Sequence, residues 1–362
     1  MMSLLKHAIN FTAFSFGKEQ PITGPMRVQW DLTDICNSKC KHCDRWKHSR
    51  HPDELTTEEG FKLLRELKDL DVMAISFAGA EPLLRKDIFD LINYAVKLGF
   101  NTSMNTNALI LNREKIEKLI KIGLGAVVLS IDGNTAEIHD FIRGVKNSLK
   151  KNLEVVKIFR EERERLNKNI IIQGTIVANS KNVRNLYDTV KMCKEKGFDK
   201  IVIQPVHFVD WYFSTEDFML MKKEDLPVME EQMNRIWRDF GDFLSVQKSY
   251  FDKFREFFEN PEKLYRYRFS SAFIIADIRS NGDVVPDPVG YFTLGNLHNN
   301  SFKEIWFSDE AKEIRRKIKN SEYPMNWFSC VQPIGLLADD LKHFKLLKWG
   351  NQKFIKHALS KS

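Results

Sequence analysis

The run Met26-Arg27-Val28-Gln29-Trp30-Asp31-Leu32-Thr33-Asp34-Ile35-Cys36-Asn37-Ser38-Lys39-Cys40-Lys41-His42-Cys43 decides the reading of this chain. Residues 26–32 mix β-branched, aromatic and polar side chains in the pattern of a strand. Cys36, Cys40 and Cys43 follow at C-x3-C-x2-C spacing, so they lie on the loop that leaves the strand's C-terminal end. Further strand candidates fall at 72–77, 100–105, 126–131, 170–177 and 200–205, with helical periods between them at 57–70, 87–98, 113–122, 148–163 and 183–196. Thr56 with Glu59 forms a capping box, and Gly99, Gly123 and Gly197 stand where C-caps belong. Six strands separated by helices predict parallel βα units in an α/β fold, curved into a barrel or spread as a doubly wound sheet. In a βα barrel, active sites are built at the end of the strands that carries the cysteines here.

With 362 residues the chain has room for about two domains, or one barrel with an appendage. An apolar content of 43% with 29% charged residues excludes a disordered or collagen-like chain. No apolar run approaches the roughly 18 residues that crossing a bilayer demands. Residues 1–25 read as a lead segment of the mature protein: their apolar character is broken by Lys6, His7, Asn10 and Thr12, and no cleavage signal is visible. The expected location is cytoplasmic. Lysine and arginine exceed aspartate and glutamate by 56 − 49 = 7. Residues 339–362 hold six lysines against two aspartates, so +4 of that +7 sits in a basic amphipathic tail with Leu341, Phe344, Leu347 and Trp349. The body is nearly balanced, which excludes a nucleic-acid partner. The tail predicts either a solvated docking helix or contact with an anionic membrane surface.

Residues 207–270 are helical in period and dense in aromatics (Trp211, Tyr212, Phe213, Trp237, Phe251, Phe254, Phe257, Phe258), a helical connector whose rings read as core. His207, just past the last strand, reads as structural, with a place in the substrate cavity as the weaker alternative. Asn281-Gly282 between two β-like runs predicts a hairpin, which opens a smaller α+β domain at 271–338.

Five cysteines, three of them within eight residues, indicate metal chemistry and not a disulfide framework. Cys193 falls in phase with Val183, Leu186, Tyr187 and Val190 and belongs to a helix core. Three thiolates complete neither a tetrahedral zinc site nor a cubane cluster. The fourth position is either a histidine on zinc (His42, His48 or His51) or an iron left open for a ligand.

The stretch from Asp31-Leu32-Thr33 through Cys43 resembles the cluster loop of the radical SAM enzymes. That resemblance implies a partial (β/α)6 TIM-like barrel over 26–206, one [4Fe–4S] cluster on Cys36, Cys40 and Cys43, and S-adenosylmethionine on the open iron. Reductive cleavage would then give a 5′-deoxyadenosyl radical that abstracts hydrogen from the substrate. Gly79-Ala80-Glu81-Pro82 is similar to the family's Gly-Gly-Glu-Pro turn, which implies that Gly79, Ala80 and Glu81 bind the methionyl amine. Ala80 departs from the pattern, and its methyl is penalised only at positive φ. Asn105-Thr106-Asn107-Ala108 resembles Thr-Asn-Gly, and Ser130-Ile131-Asp132-Gly133 matches closely. The implied cofactor contacts are therefore Asn105, Ser130 and Asp132, with Arg143 on the methionine carboxylate and Gln173, with Thr175, reaching the same cavity. The family also implies a reductant such as flavodoxin or ferredoxin.

Asn281 to Asp287, Gly295-Asn296-Leu297 and Lys303-Glu304-Ile305-Trp306 look like the SPASM extension of that family. Asp287 stands where its first auxiliary-cluster cysteine is expected, and the closing segment 322–330 keeps only Cys330. A SPASM-like domain without auxiliary clusters favours a redox-neutral outcome, with Cys330 as either a buried residue or a hydrogen-atom donor. The substrate reads as a peptide or a sugar or lipid-linked intermediate. The competing reading is a zinc- or cluster-bound interaction protein on a degenerate barrel.

Overall fold

The computed structural model describes residues 2–207 and 217–342. Trp211, Tyr212 and Phe213 of the connector and the tail from His343 onward therefore lie outside the described residues. Six strands, β1 (Arg27–Asp31), β2 (Ala74–Ala78), β3 (Asn101–Thr106), β4 (Ala126–Ser130), β5 (Ile171–Ala178) and β6 (Lys200–Pro205), pair in chain order, all parallel. The chain opens with α1 (Met2–Ser15), and helices α2 (Thr57–Asp69), α3 (Ile88–Lys97), α4 (Arg113–Ile122), α5 (Ala136–Arg143), α6 (Ser148–Arg165) and α7 (Leu186–Lys196) connect the strands. The capping box forms as expected: Thr56 N–H donates to Glu59 Oε2 at 2.8 Å and Glu59 N–H to Thr56 Oγ1 at 3.2 Å. Helix α5 and the N-terminal α1 were not among the expected helices. Eight residues of α5 are too few for an apolar period to emerge, and α1 buries polar side chains such as Asn10, which conceals its inner face.

Alternation along the strands separates two environments. In β4, Val127 and Leu129 are fully buried under the helices, while Val128 and Ser130 face the barrel interior and stay half-exposed. The inner row is polar: Ser103 Oγ donates to Ser76 Oγ at 3.1 Å, Gln29 Nε2 to Asp277 Oδ2 at 3.0 Å, and Ser245 Oγ to Gln173 Oε1 at 2.9 Å. A closed eight-stranded barrel fills this space with branched apolar side chains. Here it is left to polar groups.

The connector is helical where described, with α8 (Asp225–Phe240), α9 (Lys248–Phe251) and α10 (Phe254–Glu259). Its rings pack as core: Tyr250 stacks parallel to Trp327 at 6.0 Å and meets Phe254 edge-on at 5.2 Å. The expected hairpin is β7 (Ile275–Ile278) and β8 (Asp283–Val285), followed by the short β9 (Gly295–Asn296) and by α11 (Phe302–Phe307), α12 (Asp309–Lys319) and α13 (Gln332–Lys342). Strand β7 pairs parallel to β1, with Arg27 opposite Ile275 and Trp30 opposite Ile278. One nine-stranded sheet therefore runs β6-β5-β4-β3-β2-β1-β7-β8-β9. The boundary expected at 271 exists in the sequence but not in the sheet.

Candidate functional site

The cysteine loop is docked on the C-terminal end of α5. Lys41 N–H donates to Ile142 O at 2.8 Å, Lys39 N–H to Arg143 O at 3.2 Å, and Ser38 Oγ to Arg143 O at 3.0 Å. These are carbonyls that a helix end leaves without internal partners, so the loop and the helix satisfy each other. Gly144 then turns the chain away at φ +64°. On the opposite side Asn107 Nδ2 donates to Asn37 Oδ1 at 2.7 Å and lies 3.7 Å from Cys36 Sγ.

Donors converge on the sulfurs. Ser38 N–H lies 3.4 Å from Cys36 Sγ, Ser38 Oγ 3.3 Å from Cys40 Sγ, and Arg143 Nη1 3.6 Å from Cys40 Sγ. Burial pushes the Cys36 thiol up to about 11 and the Cys43 thiol up to about 12, so loading with metal displaces protons. N–H groups and a guanidinium aimed at thiolate sulfur are the environment an iron–sulfur cluster requires. The zinc reading needs a histidine beside the three thiols. His42 lies instead in the field of Asp132 and Arg143, with burial pulling it down to about 4. The donor set fits a cluster on three thiols.

Around this loop the expected cofactor residues divide into two groups. Gly79 has φ +118°, and a Cβ there would meet Thr33 O at 2.9 Å, so this turn can approach β1 only as glycine. Ala80 does not have positive φ, and its methyl is unpenalised. Its N–H donates to Thr33 O at 3.0 Å and that of Glu81 to Ile35 O at 3.1 Å, which ties the turn to the cysteine loop. Ala108, in the place of the family's glycine, does take φ +67°, a strain of about 1–2 kcal/mol held by full burial. Asn105, Ser130, Gln173 and Thr175 all lie half-buried on the inner row. Asn105 and Ser130 are free to meet a ligand there, whereas Gln173 is already bonded to Ser245.

Glu81 and Asp132 are braces. Glu81 is fully buried and accepts from Thr106 Oγ1 at 2.8 Å, Asn107 N–H at 2.8 Å and Leu83 N–H at 3.2 Å. Burial raises it to about 7 against those donors. Asp132, also fully buried, accepts from Val177 N–H at 2.9 Å and sits 2.7 Å from Arg143 Nε. Both carboxylates thus tie together the loops around the expected cofactor position. Arg143 is 8% exposed, and its charge is kept by Asp132 and Cys40 against the cost of burial. Glu81→Ala leaves three buried donors unsatisfied, at about 1 kcal/mol or more each. A urea melt should therefore show a loss of about 3 kcal/mol.

Other residues escaped notice. Arg45 donates to Asp31 Oδ2 at 2.7 Å and to Asp34 Oδ1 at 3.1 Å, while Ser280 Oγ donates to Asp34 Oδ2 at 2.7 Å and Leu55 N–H to Ser280 O at 2.9 Å. The hairpin turn is thereby fastened to the cysteine loop. The acidic pair at 31 and 34 with an arginine just past Cys43 was the available signal.

In the C-terminal region Asp287 is fully buried and accepts from Ser271 Oγ, from Tyr323 Oη at 2.7 Å, from Val289 N–H at 2.9 Å and from Asn326 Nδ2 at 3.3 Å. A carboxylate so fully engaged, with one thiol nearby, does not fit a second cluster. Cys330 belongs to a strap between β6 and β7. Ser329 Oγ donates to Gln204 Oε1 at 3.2 Å and Trp327 N–H to His207 Nε2 at 2.8 Å on one side, and Ser270 Oγ donates to Val331 O at 2.8 Å on the other. His207 also stacks on Phe328 at 3.9 Å, a structural role as expected. Burial pushes the Cys330 thiol up to about 12, within the fields of Arg27, Asp277 and Asp287. Cys193 is fully buried in α7.

Residues 30–177 match the model of the Radical SAM superfamily, and residues 271–330 match that of SPASM, an iron-sulfur cluster-binding domain. The PqqA peptide cyclase of Bradyrhizobium diazoefficiens is 31% identical over 188 residues, 52% of this chain and 48% of the cyclase, so the match spans about half of that enzyme. The AdoMet-dependent heme synthase of Methanosarcina barkeri is 25% identical over 326 residues, 82% of this chain and 86% of its own. Streptococcus suis SuiB bound to S-adenosylmethionine superposes with a TM-score of 0.64 at 20% identity, covering 81% of this chain and 68% of that one. The enzyme anSMEcpe with bound AdoMet gives 0.63 at 16% identity over 82% of this chain and 84% of its own. At those identities the two structures are evidence of a shared fold.

Proposed function

We propose, for a chain that belongs to the radical SAM superfamily, an enzyme that abstracts hydrogen from a peptide and returns a hydrogen atom to it, with no net oxidation of the substrate. When bound at Cys36, Cys40 and Cys43, the cluster with S-adenosylmethionine supplies a 5′-deoxyadenosyl radical. The chain's own part is positional. Ser38, Asn107 and Arg143 hold the thiol loop, Gly79 and Ala80 carry the turn beside it, and Asn105 and Ser130 face the polar interior where a substrate would enter. Glu81 and Asp132 keep those loops in register from behind.

The observation that supports the redox-neutral reading is the engagement of Asp287 by four donors, a poor setting for a second cluster that would take an electron from the substrate. Cys330 is the group left to act. Its thiol stays protonated, so its S–H bond breaks homolytically, the hydrogen atom forms a C–H bond on the substrate radical, and sulfur keeps the unpaired electron. One electron from a flavodoxin- or ferredoxin-type reductant and one proton from solvent restore the thiol. The peptide substrate is supported by the PqqA peptide cyclase relative and by the fold shared with SuiB, whose structure has been determined with its precursor peptide SuiA.

In Cys330→Ala, cleavage of S-adenosylmethionine should persist while product fails to form. The wild-type product made in deuterated water should gain one deuterium, because a thiol exchanges with solvent before it donates. A Cys330→Ala enzyme turning over at the wild-type rate, with no deuterium in the wild-type product, sinks the assignment. A second reading takes a tetrapyrrole as substrate, favoured by the heme synthase relative aligning over most of both chains. A porphyrin titration with a Soret shift would favour it over the peptide.

A further inference from the structure

Strand β1 presents two different rows of side chains. Val28 and Trp30 are fully buried on the helix side, where a Cβ on Gly60 of α2 would meet the Trp30 ring at 2.7 Å. Arg27, Gln29 and Asp31 therefore stand on the inner row, because side chains alternate along a strand. Asp31 closes the end next to the cysteine loop, and Arg27 lies four residues deeper, roughly 13 Å along the strand. A charge at that depth ordinarily brings its own counter-ion. Among the described residues of β1–β6, the one other cation on an inner row is Lys200, whose Nζ donates to Asp242 O at 2.7 Å.

Arg27 is half-buried, and among the described residues its guanidinium makes no hydrogen bond or ion pair. The carboxyl groups around it are engaged elsewhere. Asp277 stands opposite Gln29 in the pairing of β1 with β7 and accepts from Gln29 Nε2 at 3.0 Å. Burial, together with the charges of Asp31 and Asp287, holds the Asp277 carboxyl well above the usual carboxylate range, so it offers Arg27 no counter-charge. Asp287 is held by its four donors, and Asp31 pairs with Arg45 at 2.7 Å and with Arg279 at 3.6 Å. The field of Arg27 also reaches the Cys330 thiol, which puts both groups on one interior. A guanidinium held partly out of water with no anion beside it is half of a bidentate pair with a carboxylate.

We infer that Arg27 anchors a carboxylate group of the substrate at the end of the interior remote from the cysteine loop, beside Cys330. The inference rests on the reading that the substrate enters this polar interior, and it names a chemistry shared by both substrates considered above. On a peptide the group is the C-terminus or an acidic side chain. On a tetrapyrrole it is a propionate. Anchoring at this depth orients the substrate, because the atoms that follow the carboxylate must then run up the inner row of β1 past Gln29 toward Asp31 and the cysteine loop.

Saturation-transfer NMR titrations on the reconstituted enzyme, with S-adenosylmethionine present to fill its own site, read binding without turnover. N-acetyltrialanine should bind about tenfold more tightly than its C-terminal amide, the ratio expected of a charge-assisted contact. Arg27→Gln should bring that ratio to about one, Arg27→Lys should keep part of it, and Lys200→Gln should leave it intact. The Arg27 side chain bonds to no described residue, so the thermal melt of Arg27→Gln should match wild type. Mesoporphyrin against its dimethyl ester, followed by the Soret shift, forms the second arm. A ratio that depends on Arg27 in that arm alone keeps the anchor and assigns the carboxylate to a propionate. Equal binding of acid and neutral forms in both arms, or an undiminished ratio in Arg27→Gln, overturns the anchor. The role of Cys330 is judged separately: a Cys330→Ala enzyme that forms product while keeping the ratio refutes hydrogen return and leaves the anchor standing.

Discussion

Anaerobically reconstituted protein is expected to carry about four irons per chain, and replacement of Cys36, Cys40 and Cys43 together by alanine to remove nearly all of them. The basis is chemical as well as positional. Only these thiols have N–H groups and a guanidinium gathered on their sulfurs, while Cys193 is sealed in α7 and Cys330 stands without thiol partners. The triple variant should also lose cleavage of S-adenosylmethionine altogether, since the electron for that step has no other source in the chain. Iron and sulfide analysis decides the matter. About eight irons in the wild type would mean that the Asp287 region holds a cluster despite its hydrogen bonds, and four in the triple variant would falsify the ligand assignment.

Gly144→Ala is the second substitution from which a large effect is expected. At φ +64° a side chain costs about 1–2 kcal/mol, and the added Cβ would stand 2.2 Å from Lys39 O, a backbone atom that cannot swing aside. The chain must relieve that overlap by parting α5 from the cysteine loop, losing the hydrogen bonds of Ser38, Lys39 and Lys41. Together these effects should lower stability by about 2–5 kcal/mol and deplete iron in parallel. Gly123→Ala is the control. Its φ is +93°, but its Cβ would meet only Val96 Cγ1, at 3.4 Å. That variant should incur the conformational cost alone, about 1–2 kcal/mol, and keep its iron. Equal iron contents in the two alanine variants would remove the special role of Gly144.

The barrel was legible because short strand patterns alternate with helical periods, several of them ended by glycine caps, and five of the expected helices appear within a few residues of their expected bounds. The cysteine spacing and the strand-end positions of Gly79, Asn105 and Ser130 were legible for the same reason: local patterns encode local structure. Depth was not encoded. The motifs of Glu81 and Asp132 mark the right loops, and only three-dimensional packing reveals that their buried carboxylates also accept from neighbouring N–H groups. The partnership of Arg45 with Asp31 and Asp34 and the strap that carries Cys330 depend on contacts between distant segments, which periodicity cannot report. Helix α1 was missed because apolar side chains stand on both of its faces, Phe14 inward and Leu5 and Ile9 outward, with the polar His7 and Asn10 buried among them, so no amphipathic period emerges.

The pairing of β1 with β7 has a consequence for biogenesis. These strands lie almost 250 residues apart, and β1 has its two neighbours only when both β2 and β7 exist. At a translation rate of about 5–20 residues per second, roughly ten to fifty seconds separate the emergence of the two. Throughout that interval one edge of β1, with Val28 and Trp30 in it, is an open template for any extended chain nearby. Ribosome-bound nascent chains ending before residue 275 should therefore be the form of this protein that most depends on chaperones.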